Sequence, residues 1–132
     1  MHIEIFTLCE FAEQSKLGNF SIKNTRDSWF IHKVPAELDH CFIALRVRFS
    51  SEEAGEHIAK LNVIDPDGKV ILSADGKSPF QVSSYEDSGT LNLVFRLEKI
   101  PFASFGRHSV VISINGNKLC DLPLHVRKAR NQ

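Results

Sequence analysis

The stretch Cys41-Phe42-Ile43-Ala44-Leu45-Arg46-Val47-Arg48-Phe49 decides the fold. In an extended chain successive side chains point to opposite faces, so Cys41, Ile43, Leu45, Val47 and Phe49 share one side while Ala44, Arg46 and Arg48 share the other. A helical step would mix the two sets. The segment therefore reads as a strand with one dry face and one wet face. The same period returns in Leu91, Leu93, Phe95 and Leu97 set against Asn92, Arg96 and Glu98. It returns again in Ala59, Leu61 and Val63 set against Lys60 and Asn62.

Working outward, turn chemistry separates these strands. In Asp65-Pro66-Asp67-Gly68 the proline presets its φ and the glycine accepts a positive φ, which predicts a hairpin between strands ending at Ile64 and beginning at Lys69. Asp65 and Asp67 open like a calcium loop, but Lys69, Val70 and Ile71 supply no further carboxylate. Asn115-Gly116-Asn117 predicts a second hairpin, between Val110–Ile114 and Leu119–Val126. Pro123 has no N–H to give a ladder, so the returning strand is expected at a sheet edge or with its missing donor turned outward. Ile3–Phe11, Asn19–Ile22 and Trp29–Val34 read as earlier strands, the last ended by Pro35. Helix is confined to one turn after Ser50-Ser51, where Glu53 completes a capping box before Gly55 intervenes. About eight short strands predict an all-β domain, a two-sheet antiparallel sandwich filling residues 1–127, followed by a basic tail at 128–132.

Composition supports one core without staples. The chain has 132 residues and 42% of them are apolar, enough to fill a single interior. Lys plus Arg equals Asp plus Glu at 16 each, so no long-range field draws the domain to a phosphate backbone or an anionic membrane. Neither nucleic acid nor membrane is expected as a partner. No segment is long and apolar enough for a membrane helix, and Glu4 and Glu10 interrupt any signal-peptide core. Three cysteines, Cys9, Cys41 and Cys120, lack a CxxC pair and fall in apolar phases, which predicts reduced thiols and a cytoplasmic setting.

Chemistry-bearing motifs are missing. His2, His32, His40, His57, His108 and His125 form no H-x-H, H-x₃-H or H-E-x-x-H pattern, so no metal is expected; a zinc centre would have to gather Cys41, His57 and His108 from distant strands. A thiol nucleophile is disfavoured because an inward cysteine among Ile and Leu has its thiolate desolvated. Phosphate-cradling loops are absent from the sequence as well, and no cofactor is expected.

Phe105-Gly106-Arg107-His108-Ser109-Val110-Val111-Ile112, then Asn115-Gly116 and Leu122-Pro123-Leu124-His125-Val126, resembles the closing hairpin of immunoglobulin-like and fibronectin-type sandwiches. There, an aromatic residue often follows the glycine by two, and His108 occupies that position here. Across nearly its whole length the chain also resembles an uncharacterised bacterial domain family of unknown function. That likeness is carried by Leu8-Cys9-Glu10-Phe11-Ala12, Gly18-Asn19-Phe20-Ser21-Ile22, Ile64-Asp65-Pro66-Asp67-Gly68-Lys69 and Phe105-Gly106. It implies one compact domain in a bacterial cytoplasm and brings no activity with it.

A surface remains. Arg46, Arg48 and Arg96 occupy outward phases, where guanidinium groups pair with neighbouring acids or with the carboxylates of a partner. Trp29 and Phe30 offer an aromatic anchor, although alternation sends one of them inward. The expected function is a non-catalytic protein-interaction or self-association module. The alternative is a small-molecule or carbohydrate binder using the loop at 73–89 with Phe80 and Tyr85.

Overall fold

The computed structural model describes residues 1–15, 19–53, 55–75, 80–81 and 88–130. Its strands run in chain order β1 (His2–Gln14), β2 (Phe20–Arg26), β3 (Ser28–Ile31), β4 (Ala36–Ser50), β5 (Glu56–His57), β6 (Ala59–Ile64), β7 (Val70–Asp75) and β8 (Phe80–Gln81). They continue with β9 (Ser88–Phe102), β10 (Gly106–Ile114) and β11 (Asn117–Lys128). One sheet has the order β2-β1-β4-β9, and a second has the order β3-β11-β10-β6-β7. β5 and β8 form a two-stranded pair of their own. The protein is therefore all-β with two principal sheets.

The alternating phases fall where the sequence puts them. Cys41, Ile43, Leu45, Val47 and Phe49 of β4 are buried in the main core with Leu61, Val63, Phe95, Leu97, Val110, Ile112 and Leu124. Removing side chains of this kind from water stabilises the fold by roughly 1.5–3 kcal/mol each. Both predicted hairpins form. Asp65 Oδ1 accepts the N–H groups of Asp67 and Lys69 at 3.0 and 2.8 Å, and Gly68 closes the turn with φ +89°. Asn115 and Gly116 both have positive φ, 52° and 84°, the signature of the tight turn that matches strand twist. The single turn of helix is a 3₁₀ turn at Ser51–Glu53, and Glu53 Oε1 takes both the N–H and the hydroxyl of Ser50 at 3.1 Å.

Three features depart from the expected antiparallel sandwich. First, β3 pairs with β11 in parallel, Trp29 opposite Val126, so the second sheet is mixed. Only Asp27 separates β2 from β3, so the chain switches from the edge of one sheet to the edge of the other with no room to reverse into a hairpin. Second, β11 is internal, flanked by β3 and β10, rather than an edge. Pro123 is accommodated because His125 donates its N–H to Asp27 O at 3.0 Å, which fixes that parity toward β3, and pairing with β3 begins only at His125. Third, β11 runs through Lys128, and Ala129 donates to Ile31 O at 2.8 Å, so the basic segment starts inside the sheet.

A smaller cluster lies outside the main core. Phe42 and Ala44, on the outward phase of β4, are buried with Cys9 and Ala12 of β1, and Phe20, Ile22 and Val94 pack against them. The wet face inferred for Ala44 is therefore partly dry.

Candidate functional site

The longest open element is β9. Its 15 residues pair with β4 from Ser50↔Ser88 to Ala36↔Phe102, and among the described residues no strand pairs with its other edge. The far end of that edge carries Arg96, Glu98, Lys99 with φ +53°, and Pro101, the devices that discourage strand addition. From Ser88 to Phe95 no residue is charged. The edge is thus guarded at one end and uncharged at the other.

On the outward face of the same sheet lie two of the arginines picked out by phase. Ile3 pairs with Val47 and Ile5 with Arg46, so Glu4 is the extra residue of a bulge, and a bulge re-aims its side chain. Glu4 consequently meets both cations, Oε1 to Arg46 Nε and Oε2 to Arg48 Nε, each at 2.8 Å. Arg46 Nη1 also donates to Asn92 Oδ1 at 3.1 Å. Hydrogen bonds from Arg48 and Arg46 hold the Glu4 carboxyl down to about 2. Arg96 lies further along β9, bonded to Glu98 at 2.9 Å and placed over the Phe42 ring at 5.9 Å. Each of these guanidinium groups is paired with an acid of the protein's own. Periodicity alone could not find Glu4, because a bulge has no period-two signature.

Trp29 is not an exposed anchor. It is 8% exposed and belongs to the main core, whereas its neighbour Phe30 is 57% exposed. Alternation required one of the pair to face inward, and parallel pairing with β11 selects Trp29. The guanidinium of Arg26 lies 4.6 Å from the Trp29 ring centre. Arg26 also donates through Nε to Ser28 O at 3.2 Å and through Nη1 to Glu10 Oε1 at 2.8 Å. Asn24, with φ +55°, donates to the other oxygen of Glu10 at 2.9 Å. The bonds from Asn24 and Arg26 lower the Glu10 carboxyl. Glu10, Phe11, Lys23, Asn24, Arg26, Trp29 and His40 line an open cleft of about 530 Å³.

The thiols and the two histidines considered for zinc, His57 and His108, occupy structural positions. Burial pushes Cys41 up to about 12 and Cys120 up to about 11, and it raises Cys9 as well. Their thiolates are disfavoured. His57 lies against Phe49 with ring centres 5.7 Å apart, and its nitrogens meet Glu53 O at 2.7 Å and Asn115 Nδ2 at 2.9 Å. His108 is fully buried, edge-on to Phe102 at 5.1 Å, with Nδ1 3.2 Å from Gly106 O. The three residues considered for zinc are thus in three different environments. Among the described residues no three His, Cys, Asp or Glu side chains converge on a metal position.

The ligand loop proposed at 73–89 is only partly in view. Ser73 and Ala74 belong to β7, Phe80 contributes backbone pairing to His57, and Tyr85 lies outside the described residues. No helix among the described residues is long and apolar enough to cross a membrane.

No curated protein matches the sequence. Among solved structures, the chain is similar to an alkylpurine DNA glycosylase, AlkC, of Pseudomonas fluorescens bound to DNA containing an abasic site analog. The alignment has 11% identity and a TM-score of 0.48, and covers 76% of this chain and 28% of that one. It is also similar to a β-galactosidase, itself described as putative, from Bacteroides fragilis, with 18% identity and a TM-score of 0.43 over 73% of this chain and 16% of that one. This chain therefore spans less than a third of either protein, and neither likeness bears on its chemistry. The family model that matches residues 4–127 covers nearly the whole chain, and the protein belongs to the family of unknown function DUF6941.

Proposed function

We propose that this domain is a non-catalytic protein-interaction module that docks an extended protein segment, from a partner or from a second copy, along the uncharged half of β9. The observation that carries the reading is the uncharged stretch from Ser88 to Phe95 on a strand whose outer edge has no strand partner among the described residues. A free edge offers a row of backbone donors and acceptors, and an added strand satisfies them without any special side-chain chemistry. The guards at Arg96 to Pro101 confine docking to the Ser88–Phe95 half. The strand expected at an edge from Pro123, β11, is internal, and β9 is the edge this proposal uses.

The finer fold belongs to the same proposal. A four-stranded sheet facing one built on the closing β10–β11 hairpin is the division of strands expected of an immunoglobulin-like sandwich, and reduced thiols suit a bacterial cytoplasm. A small-molecule or carbohydrate site at residues 73–89 is a weaker reading, because its distinguishing side chains lie outside the described residues.

Hydrogen–deuterium exchange across a concentration series, read together with light scattering, tests the proposal. A docked edge protects alternate amides between Thr90 and Phe95 as mass rises, or as a partner captured by the purified domain is added back. Fast exchange of those alternate amides at every concentration and with every captured protein would sink it.

A further inference from the structure

We propose that the cleft lined by β1, β2, Trp29 of β3 and His40 of β4 binds a small aromatic carboxylate, with Arg26 and Lys23 taking the carboxylate and Phe11 and His40 flanking the ring. This site is separate from the uncharged half of the β9 edge, because its β4 member His40 pairs with Glu98 at the guarded end.

The argument begins with Arg26, whose guanidinium is held on three sides. The Trp29 ring supports its face, Ser28 O takes Nε, and Glu10 takes Nη1. A guanidinium carries five N–H donors in a rigid plane, so the remaining donors are preorganised at no further cost in side-chain freedom. Glu10 is the orienting group rather than a competitor. Its two oxygens are already engaged by Asn24 and Arg26, and the positive φ of Asn24 is what turns that amide onto it.

Charge then selects the ligand. Of the fixed charges lining the cleft, Arg26 cancels Glu10 and Lys23 is left over, an exposed ammonium with no ion pair among the described residues. An anion is attracted and a cation is not. The shape and lining of the cleft favour an organic carboxylate over a bare inorganic anion. A planar carboxylate matches the guanidinium edge in two parallel hydrogen bonds. The cleft, at about 530 Å³, has room for a body beyond the anion, and Phe11, 43% exposed, gives that body an apolar wall.

The test uses the full chain at low salt, with benzoate, benzamide and inorganic phosphate as probes in thermal-shift and calorimetric titrations. Benzoate is expected to raise Tm, and its neutral isostere benzamide is not, because the lost charge removes the Arg26 and Lys23 bonds. R26Q is expected to weaken benzoate binding by about tenfold or more, the usual worth of a charge-assisted hydrogen bond. Because R26Q also strips the cover from Trp29, K23Q serves as the second variant. Lys23 is exposed and contributes nothing to the core, so K23Q is expected to weaken benzoate severalfold with an unchanged Tm in its absence. The proposal fails if benzamide matches benzoate, if phosphate shifts Tm and benzoate does not, if no probe shifts Tm, or if K23Q and R26Q bind benzoate as the parent does.

Discussion

Gly106→Ala is the sharpest test of how the two hairpins lock together. Gly106 opens β10 with φ +120°, a backbone region that a side chain makes costly. Holding an ordinary residue in such a region costs on the order of 1–3 kcal/mol. An added Cβ would stand 3.4 Å from Pro66 Cγ, an ordinary contact, so the cost lies in the backbone. Against this, losing glycine's freedom in the unfolded chain returns about 0.4–1 kcal/mol. The net expectation is a loss of about 1–2 kcal/mol. Escape by rotating φ is blocked, because Gly106 pairs with Val126 and Arg107 with His125, so relaxation would unpair the start of β10. Urea unfolding of parent and variant measures the difference, with an unchanged m value showing that both ends of the transition are preserved. Gly116→Asn is the control. Its φ is +84° with nothing within 4 Å of the added Cβ, and asparagine tolerates left-handed backbone, so its expected change is within about 0.5 kcal/mol. A neutral or stabilised Gly106→Ala variant would refute the reasoning.

Other expectations follow from the same structure. Glu4 is held at about 2 against an ordinary 4.5, so its ion pairs add stability above pH 4.5 that fades as pH falls toward 2. Glu4→Gln should flatten that part of the stability–pH curve, and added salt should shrink the difference because the group is exposed; an unchanged curve contradicts the bridge. His108 is fully buried with Nε2 bonded to no described residue, so His108→Leu, close in volume, should be neutral or stabilising. His108→Ala should cost about 2–5 kcal/mol by leaving a cavity, and calorimetric Tm values that rank the two alike would refute this. In thiol labelling of native protein, Cys120, half-buried at about 11, should react before Cys41, fully buried at about 12. Equal rates would show that the β4 thiol is open.

The candidate sites were legible only in part. Phase alone placed Arg46, Arg48 and Arg96 on the outer face, and it required that one of Trp29 and Phe30 turn inward. It could not choose Trp29, because the choice depends on β11, a strand far away in the chain. Nor could it find Glu10, Lys23 and His40 as one cleft, since they come from three strands and share no spacing. The bulge at Glu4 was invisible for a related reason: one inserted residue shifts register without altering composition.

Local periodicity and turn residues, by themselves, determined that the chain is all-β, where the Asp65–Gly68 and Asn115–Gly116 turns fall, and which side of β4 is the dry side of the main core. These are properties of short segments, set by the two-residue repeat of an extended backbone and by the few residues that accept turn dihedrals. Tertiary structure alone decided that β3 joins β11 in parallel, that Phe42 and Ala44 are covered on the outward face by residues of β1 and β2, and that Arg26 caps Trp29. Each of those depends on which distant surfaces meet, and burial of apolar area is non-directional, so no single segment encodes its own partner.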